Sequence, residues 1–210
     1  MSRKGVLTIV SGFSGAGKGT LMKALLNKYK YQLSISATTR SPREGEVHGR
    51  EYLFLTRDEF ESMIKNGELI EWAEYVGNYY GTPKAYVEEQ LEQGRDVILE
   101  IEIQGALKVK ELFPDALLLF VTPPSIMELK KRLIGRGTET METISKRLFR
   151  AYEEASYMSH YDYLVINDDL QESVEHTHQL IQQQHYKVER NQIFIEAITA
   201  ELKAMKEGAF

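Results

Sequence analysis

A chain of 210 residues, 42% apolar and 27% charged, is long enough for one α/β domain with an insertion and too hydrophobic to be disordered. It contains no cysteine, which excludes disulfides and thiolate metal sites, and its net charge of −5 argues against nucleic-acid binding through a globally basic surface. No apolar run approaches the ~18 residues of a membrane span, and Met1-Ser2-Arg3-Lys4-Gly5-Val6 opens no signal peptide, so a cytoplasmic protein without a membrane partner is expected.

Val6-Leu7-Thr8-Ile9-Val10 is a β-branched apolar run closed by Ser11-Gly12, the pattern of a buried strand entering a turn. From Thr20 the period becomes helical, with Leu21, Ala24, Leu25 and Lys28 at i, i+3, i+4 and i+7. Further buried strands are expected at Asp96–Leu99, Ala116–Val121 and Tyr163–Ile166, separated by helical stretches over Ala106–Leu112 and Ser125–Tyr157. This alternation implies a parallel sheet covered on both faces. The stretch from Thr38 to Gln93 breaks the rhythm with arginines, glycines and short alternating segments such as Glu51-Tyr52-Leu53-Phe54-Leu55, and reads as an inserted lobe. Gly135-Arg136-Gly137 interrupts the long helical stretch with the composition of a hinge or lid. After Leu170 the chain is polar, glutamine-rich and helical, with no evident chemistry.

Gly12-Phe13-Ser14-Gly15-Ala16-Gly17-Lys18-Gly19-Thr20 carries the spacing of a phosphate loop: glycine, four residues, glycine, lysine. It lies between the first strand and the first helix, where glycine backbones and a helix N-terminus can converge on a polyphosphate and Lys18 can neutralise its outer groups. Gly19 stands where a serine or threonine would ligate Mg²⁺, and Thr20 comes one residue too late. No side chain is therefore assigned as a direct metal ligand. Glu100 and Glu102 are expected to share one face at the end of the strand from Val97 to Ile101, beside this loop, with Glu100 organising the outer shell of the ion.

A second anion site is suggested by Arg40 and Arg43, three apart around Pro42, because guanidinium forks grip phosphate through two oxygens. His176, His178 and His185 are read as a solvated helix face, Trp72 as a packing residue, and Tyr29 and Tyr31 as surface or core.

Together with Glu71, Asn78-Tyr79-Tyr80-Gly81-Thr82 and Lys130-Lys131-Arg132-Leu133-Ile134-Gly135-Arg136-Gly137-Thr138-Glu139-Thr140, these motifs closely resemble guanylate kinases over residues 5 to 185. The resemblance implies an α/β fold with a phosphate-loop parallel-sheet core (1–37, 94–125 and 158–210), an inserted GMP-binding lobe (38–93) and a helical lid (126–157). It implies transfer of the γ-phosphoryl of ATP to GMP with Mg²⁺, in purine nucleotide metabolism. Residues 12–20 match the ATP phosphate loop, and Asn167 and Asp168 match a segment near the adenine. Arg40, Arg43, Tyr52 and Tyr80 resemble the residues holding the GMP phosphate. Ser36, Glu71, Thr82 and Glu102 resemble those around the guanine, with Glu100 counted on the same acceptor side and Glu102 standing where many members have aspartate. Lys18, Arg132, Arg136 and Arg147 match the cations that close on the transferring phosphates. Arg132 and Arg136, at i and i+4, fall on one helix face, and an acceptor that is already anionic needs no catalytic base.

Two rivals share the fold. A scaffold-type binding module would have a degraded phosphate loop, whereas Gly12, Gly15, Gly17 and Lys18 are all present. A kinase for another acceptor, such as AMP or a sugar phosphate, is separated by its acceptor preference. The sequence specifies no oligomeric state.

Overall fold

In the computed structural model, which describes residues 3–135 and 140–206, the short apolar runs form a fully parallel sheet. Its strands are β1 (Leu7–Gly12), β2 (Gln32–Leu33), β7 (Val97–Glu100), β8 (Leu117–Thr122) and β9 (Tyr163–Ile166), in the order β2-β7-β1-β8-β9. A parallel sheet needs cover on both faces, which is why its strands read as near-continuous hydrophobic runs. Ile9, Leu99 and Leu118 point to one face, against Val87, Leu91 and Val109 of helices α3 (Lys84–Glu92) and α4 (Ile103–Leu112). Val10, Ile98 and Leu119 point to the other, against Leu21 and Leu25 of α1 (Lys18–Lys28) and Val174 and Ile181 of α7 (Leu170–Gln184). Each such side chain, once fully buried, contributes about 1.5–3 kcal/mol.

The inserted segment forms a second sheet, of strands β3 (Ala37–Thr38), β4 (Leu53–Phe54), β5 (Leu69–Tyr75) and β6 (Asn78–Pro83) in the order β4-β3-β6-β5. The alternating run expected at Glu51–Leu55 contributes only the two residues of β4. Helix α2 (Arg57–Lys65) starts at a capping box, in which Thr56 accepts from the Glu59 N–H and Glu59 accepts in return from the Thr56 N–H. Its Phe60 is fully buried. The β5–β6 hairpin turns through Val76 and Gly77, both at positive φ.

Helices α5 (Ile126–Gly135) and α6 (Met141–Ala155) occupy the helical stretch expected from Ser125 to Tyr157, one on each side of the interruption expected from Gly135, whose residues 136–139 lie outside the described residues. Leu129 and Leu133 root α5 in the core, and Ile144 and Ala151 do the same for α6. A final helix, α8 (Gln192–Lys206), has no buried residue.

Candidate active site

The backbone between β1 and α1 is bent by residues that only glycine accommodates. Gly17 has φ 91°, and a Cβ there would stand 2.5 Å from the Asn167 Nδ2. Gly15 has φ 96°, and its Cβ would stand 2.7 Å from the Leu133 Cδ2. The loop is therefore clamped between β9's outgoing segment and α5. Asn167, buried, donates to the Ala16 carbonyl at 2.8 Å, and the Arg132 Nη1 reaches the same carbonyl at 3.3 Å. Phe13 turns inward, edge-on to Phe120 at 5.0 Å, so its buried side chain holds the loop down. The Lys18 Nζ donates to the carbonyls of Gly12 at 2.7 Å and Phe13 at 3.2 Å.

Above the loop lies a cavity of about 380 Å³ lined by Ser14, Gly15, Gly17, Lys18, Gly19, Thr20 and Glu100. Among the described residues nothing lies within 4 Å of the position a Gly19 Cβ would take, so none of them excludes a hydroxyl residue there by space. Glu100 ends β7 beside Val10. The surrounding protein pushes its carboxyl above the usual range, Lys18 draws it back down, and Glu102 adds to the rise.

The lobe presents a second polar cluster. Both guanidinium nitrogens of Arg40 grip the Glu46 carboxylate at 3.0 Å, and the cation lies over the rings of Tyr52 and Phe54. Tyr52 packs edge-on to Tyr80. Arg43 contributes its backbone N–H to Glu46 at 2.7 Å, while its residue is exposed. Glu46, held below the usual carboxylate range by Arg40 first and the Arg43 N–H second, is a site residue the sequence did not mark, because a partner six positions away on an irregular loop has no periodic signature.

Deeper in the lobe, Glu71 and Thr82 face each other across the β5–β6 pair, both buried, with the Thr82 hydroxyl donating to the Glu71 Oε1 at 2.7 Å. Burial pushes the Glu71 carboxyl above its ordinary range, with the Thr82 hydrogen bond and Lys108 opposing. Gly105 of α4 lets the helix approach this carboxylate, since a Cβ there would lie 2.8 Å from the Glu71 Oε2. Ser36 is half-buried at the lobe entrance, and its carbonyl accepts from the Leu53 N–H.

With a glycine loop bearing Lys18 and a separate buried carboxylate on the lobe in place, the comparisons with known proteins are decisive. The family model described as guanylate kinase matches residues 4–184. The chain belongs to the guanylate kinase family. It is 51% identical over 192 residues to a guanylate kinase of Streptococcus thermophilus strain CNRZ 1066, covering 90% of this chain and 92% of that one. It is also 51% identical over 191 residues to a guanylate kinase of Lactococcus lactis subsp. lactis, at 90% and 93% coverage. The crystal structure of guanylate kinase from Anaplasma phagocytophilum superposes with a TM-score of 0.72 at 32% identity, covering 90% of each chain.

Several of the residues singled out on the guanylate kinase pattern do meet around the loop. The Arg147 Nη1 lies 3.4 Å from the Ser14 Oγ, and the Arg132 Nε pairs with Glu128 at 3.0 Å. Arg136 lies outside the described residues. Asp168 is exposed and lines a separate hollow of about 230 Å³ with Ile166 and His176. The pairing of Glu100 with Glu102 on one strand face is corrected: β7 stops at Glu100, and Glu102 takes the N-cap position of α4 without a side-chain capping bond, its exposed carboxylate instead meeting Arg150 at 3.0 Å. The histidine reading is corrected as well. His185 is buried against Asp96 at 2.9 Å, and His178 stacks on Tyr29 and shares a 2.6 Å hydrogen bond with the Tyr31 hydroxyl; only His176 is exposed. Trp72 packs edge-on to Tyr79.

Proposed function

We propose that this chain transfers the γ-phosphoryl of ATP to GMP, giving ADP and GDP. The observation that carries the acceptor assignment is the buried Glu71 carboxylate anchored by Thr82. Guanine offers N1–H and its exocyclic amine side by side, and one carboxylate accepts both. Adenine offers a bare N1 acceptor, which the carboxylate repels. Ser36 and Glu102 complete the base site, and Arg40, Arg43, Tyr52 and Tyr80 take the acceptor's phosphate, which competes with Glu46 for Arg40.

On the donor side the N–H groups of residues 13–20 and the α1 N-terminus cradle the ATP phosphates, with Lys18 on the outer pair. Asn167 and Asp168 stand toward the adenine. A GMP phosphate oxygen attacks the γ-phosphorus in line as the bond from phosphorus to the β–γ bridging oxygen breaks. The attacking oxygen is already an anion, so positioning and charge neutralisation supply the catalysis, through Lys18, Arg132, Arg136 and Arg147. The donor set also fits Mg²⁺, which in phosphoryl transfer takes one or two carboxylates with substrate phosphates and waters. Glu100, on the cavity wall and within the field of Lys18, would hold it through water; when bound, the ion supplies charge neutralisation on the β- and γ-phosphates.

We assign residues 1–37, 94–125 and 158–210 to the core, 38–93 to the acceptor lobe and 126–157 to the lid. No described helix is long and apolar enough to cross a membrane, and use of ATP and GMP supports a cytoplasmic location. A coupled assay with ATP and a panel of GMP, dGMP, AMP and a sugar phosphate tests the reading. Selective turnover of the guanine nucleotides is expected; equal use of AMP would overturn it.

A further inference from the structure

Arg150, on the lid helix α6, belongs to none of the groups assigned above, yet it joins three parts of the molecule. Its Nη2 donates to the Glu102 Oε2 at 3.0 Å, its Nε donates to the Glu154 Oε1 at 2.7 Å, and its guanidinium lies 5.8 Å from the centre of the Tyr75 ring, at the end of β5. Glu154, one turn along the same helix, is the more enclosed of the two carboxylates, with a side chain 13% exposed against 76% for Glu102. The guanidinium is thus a post fixed by Glu154, and Glu102 is the movable group tied to it.

We propose that Arg150 is a specificity-determining positioning residue, which reads guanine by holding the Glu102 carboxylate in place and aimed at the base. The inference rests on the GMP reading above. Glu102 is a long, exposed side chain, and an unheld glutamate spreads over many rotamers, so that ordering it on binding would cost much of what its contact contributes. A guanidinium on one carboxylate oxygen fixes the plane of the group and leaves the other oxygen to accept from a donor. At the N1 and C2 positions that Glu71 and Glu102 face, adenine carries no N–H donor, its amino group being on C6, whereas guanine carries N1–H and the 2-amino group. Because Arg150 comes from the lid and lies against Tyr75 of the lobe, the base is read most strongly when lid and lobe are together.

Steady-state kinetics on the full-length enzyme, with GMP and with IMP, which lacks the 2-amino group, test this at saturating ATP. Arg150→Ala is expected to raise KM for GMP about 10-fold, the effect of losing an aligned hydrogen bond to a charged group, with KM for ATP unchanged and IMP affected less than 3-fold. In a Glu102→Gln background the same substitution should have little further effect. Arg150→Lys keeps the charge and can hold one carboxylate but not fork to two, so it should retain the fold and fall between wild type and alanine in GMP-over-IMP preference. It carries the test should the alanine variant, with Glu154 left unpaired, fail to fold. Equal losses for GMP and IMP, or an undiminished effect in the Glu102→Gln background, would overturn the proposal. A wild type that ignores GMP would overturn the function and this inference together, while a GMP-selective wild type indifferent to both Arg150 substitutions would overturn this inference alone.

Discussion

Gly105→Ala adds one methyl group to α4 on the side that meets Glu71. The new Cβ would lie 2.8 Å from the Glu71 Oε2 and 3.3 Å from its Cδ, where ordinary contact begins at 3.4 Å, so the carboxylate must retreat by about 0.6 Å. It cannot swing aside freely, because it is buried and its other oxygen accepts from Thr82 at 2.7 Å. Overpacking of this kind costs about 1–3 kcal/mol, and at about 2–4 °C per kcal/mol for a chain of this size the melting temperature should fall by roughly 2–12 °C. The functional cost follows from geometry: a displacement of about 1 Å at a positioned group is worth up to about 10²-fold in rate, so roughly half of that displacement should lower kcat/KM for GMP by about 10-fold. KM for ATP should not change, and the weak activity with AMP should not fall, because adenine does not use the carboxylate. Thermal melts and acceptor kinetics on one preparation check both halves. A variant with wild-type GMP kinetics and a melting temperature within 2 °C would refute the reasoning, since the carboxylate would then have room the structure denies it.

Glu71→Gln should shrink the GMP-over-AMP preference by at least roughly 10-fold, because the amide keeps one acceptor and gains a donor for adenine N1. The same variant should melt higher at neutral pH: a carboxyl whose folded pKa is raised stabilises the fold below its ordinary pKa and loses that contribution as pH rises through the folded value. The gain should therefore fade as pH falls, and a pH-independent difference would count against burial as the cause. Lys18→Ala should lower kcat by about 10³-fold or more while leaving GMP affinity, measured by calorimetry, nearly intact; near-normal turnover would remove Lys18 from the donor site. Gly19→Ser should fold normally, since its Cβ meets no described residue within 4 Å, and should lower the Mg²⁺ concentration needed for half-maximal rate; an unchanged Mg²⁺ requirement would show that the ion sits away from this end of α1.

The parallel core was legible because fully buried strands leave uninterrupted apolar runs; Tyr163–Ile166 was bounded correctly, but the burial expected of it is corrected, since β9 is an edge strand in which Tyr163, Leu164 and Ile166 are exposed and only Val165 is buried. The phosphate loop was legible because its glycines, its lysine and its flanking elements are contiguous. The lobe's strands were poorly legible, since β3 and β4 are two residues each and owe their existence to pairing with β6 and with each other. Glu102 was misplaced for a local reason: alternation continues in the sequence after the strand has ended and helix α4 has begun. His185 with Asp96, Arg150 with Glu102 and Gly105 with Glu71 were not legible at all. Each is a contact between distant segments, fixed by how helices seat on the sheet rather than by any nearby spacing.

The rooting of α5 bears on how the enzyme divides its work between folding and turnover. Leu129 and Leu133 are fully buried, and Leu133 fills the space where a Gly15 side chain would be. Arg132, between them in sequence, therefore stands on the loop by virtue of the fold itself, held by Glu128 on one side and the Ala16 carbonyl on the other. Its ordering entropy is charged once, when the chain folds, and never again in the catalytic cycle. A lid need not deliver every cation it carries; here one of them is part of the floor, and cavity-forming substitutions at Leu133 should reach the chemistry through it without touching a nucleotide.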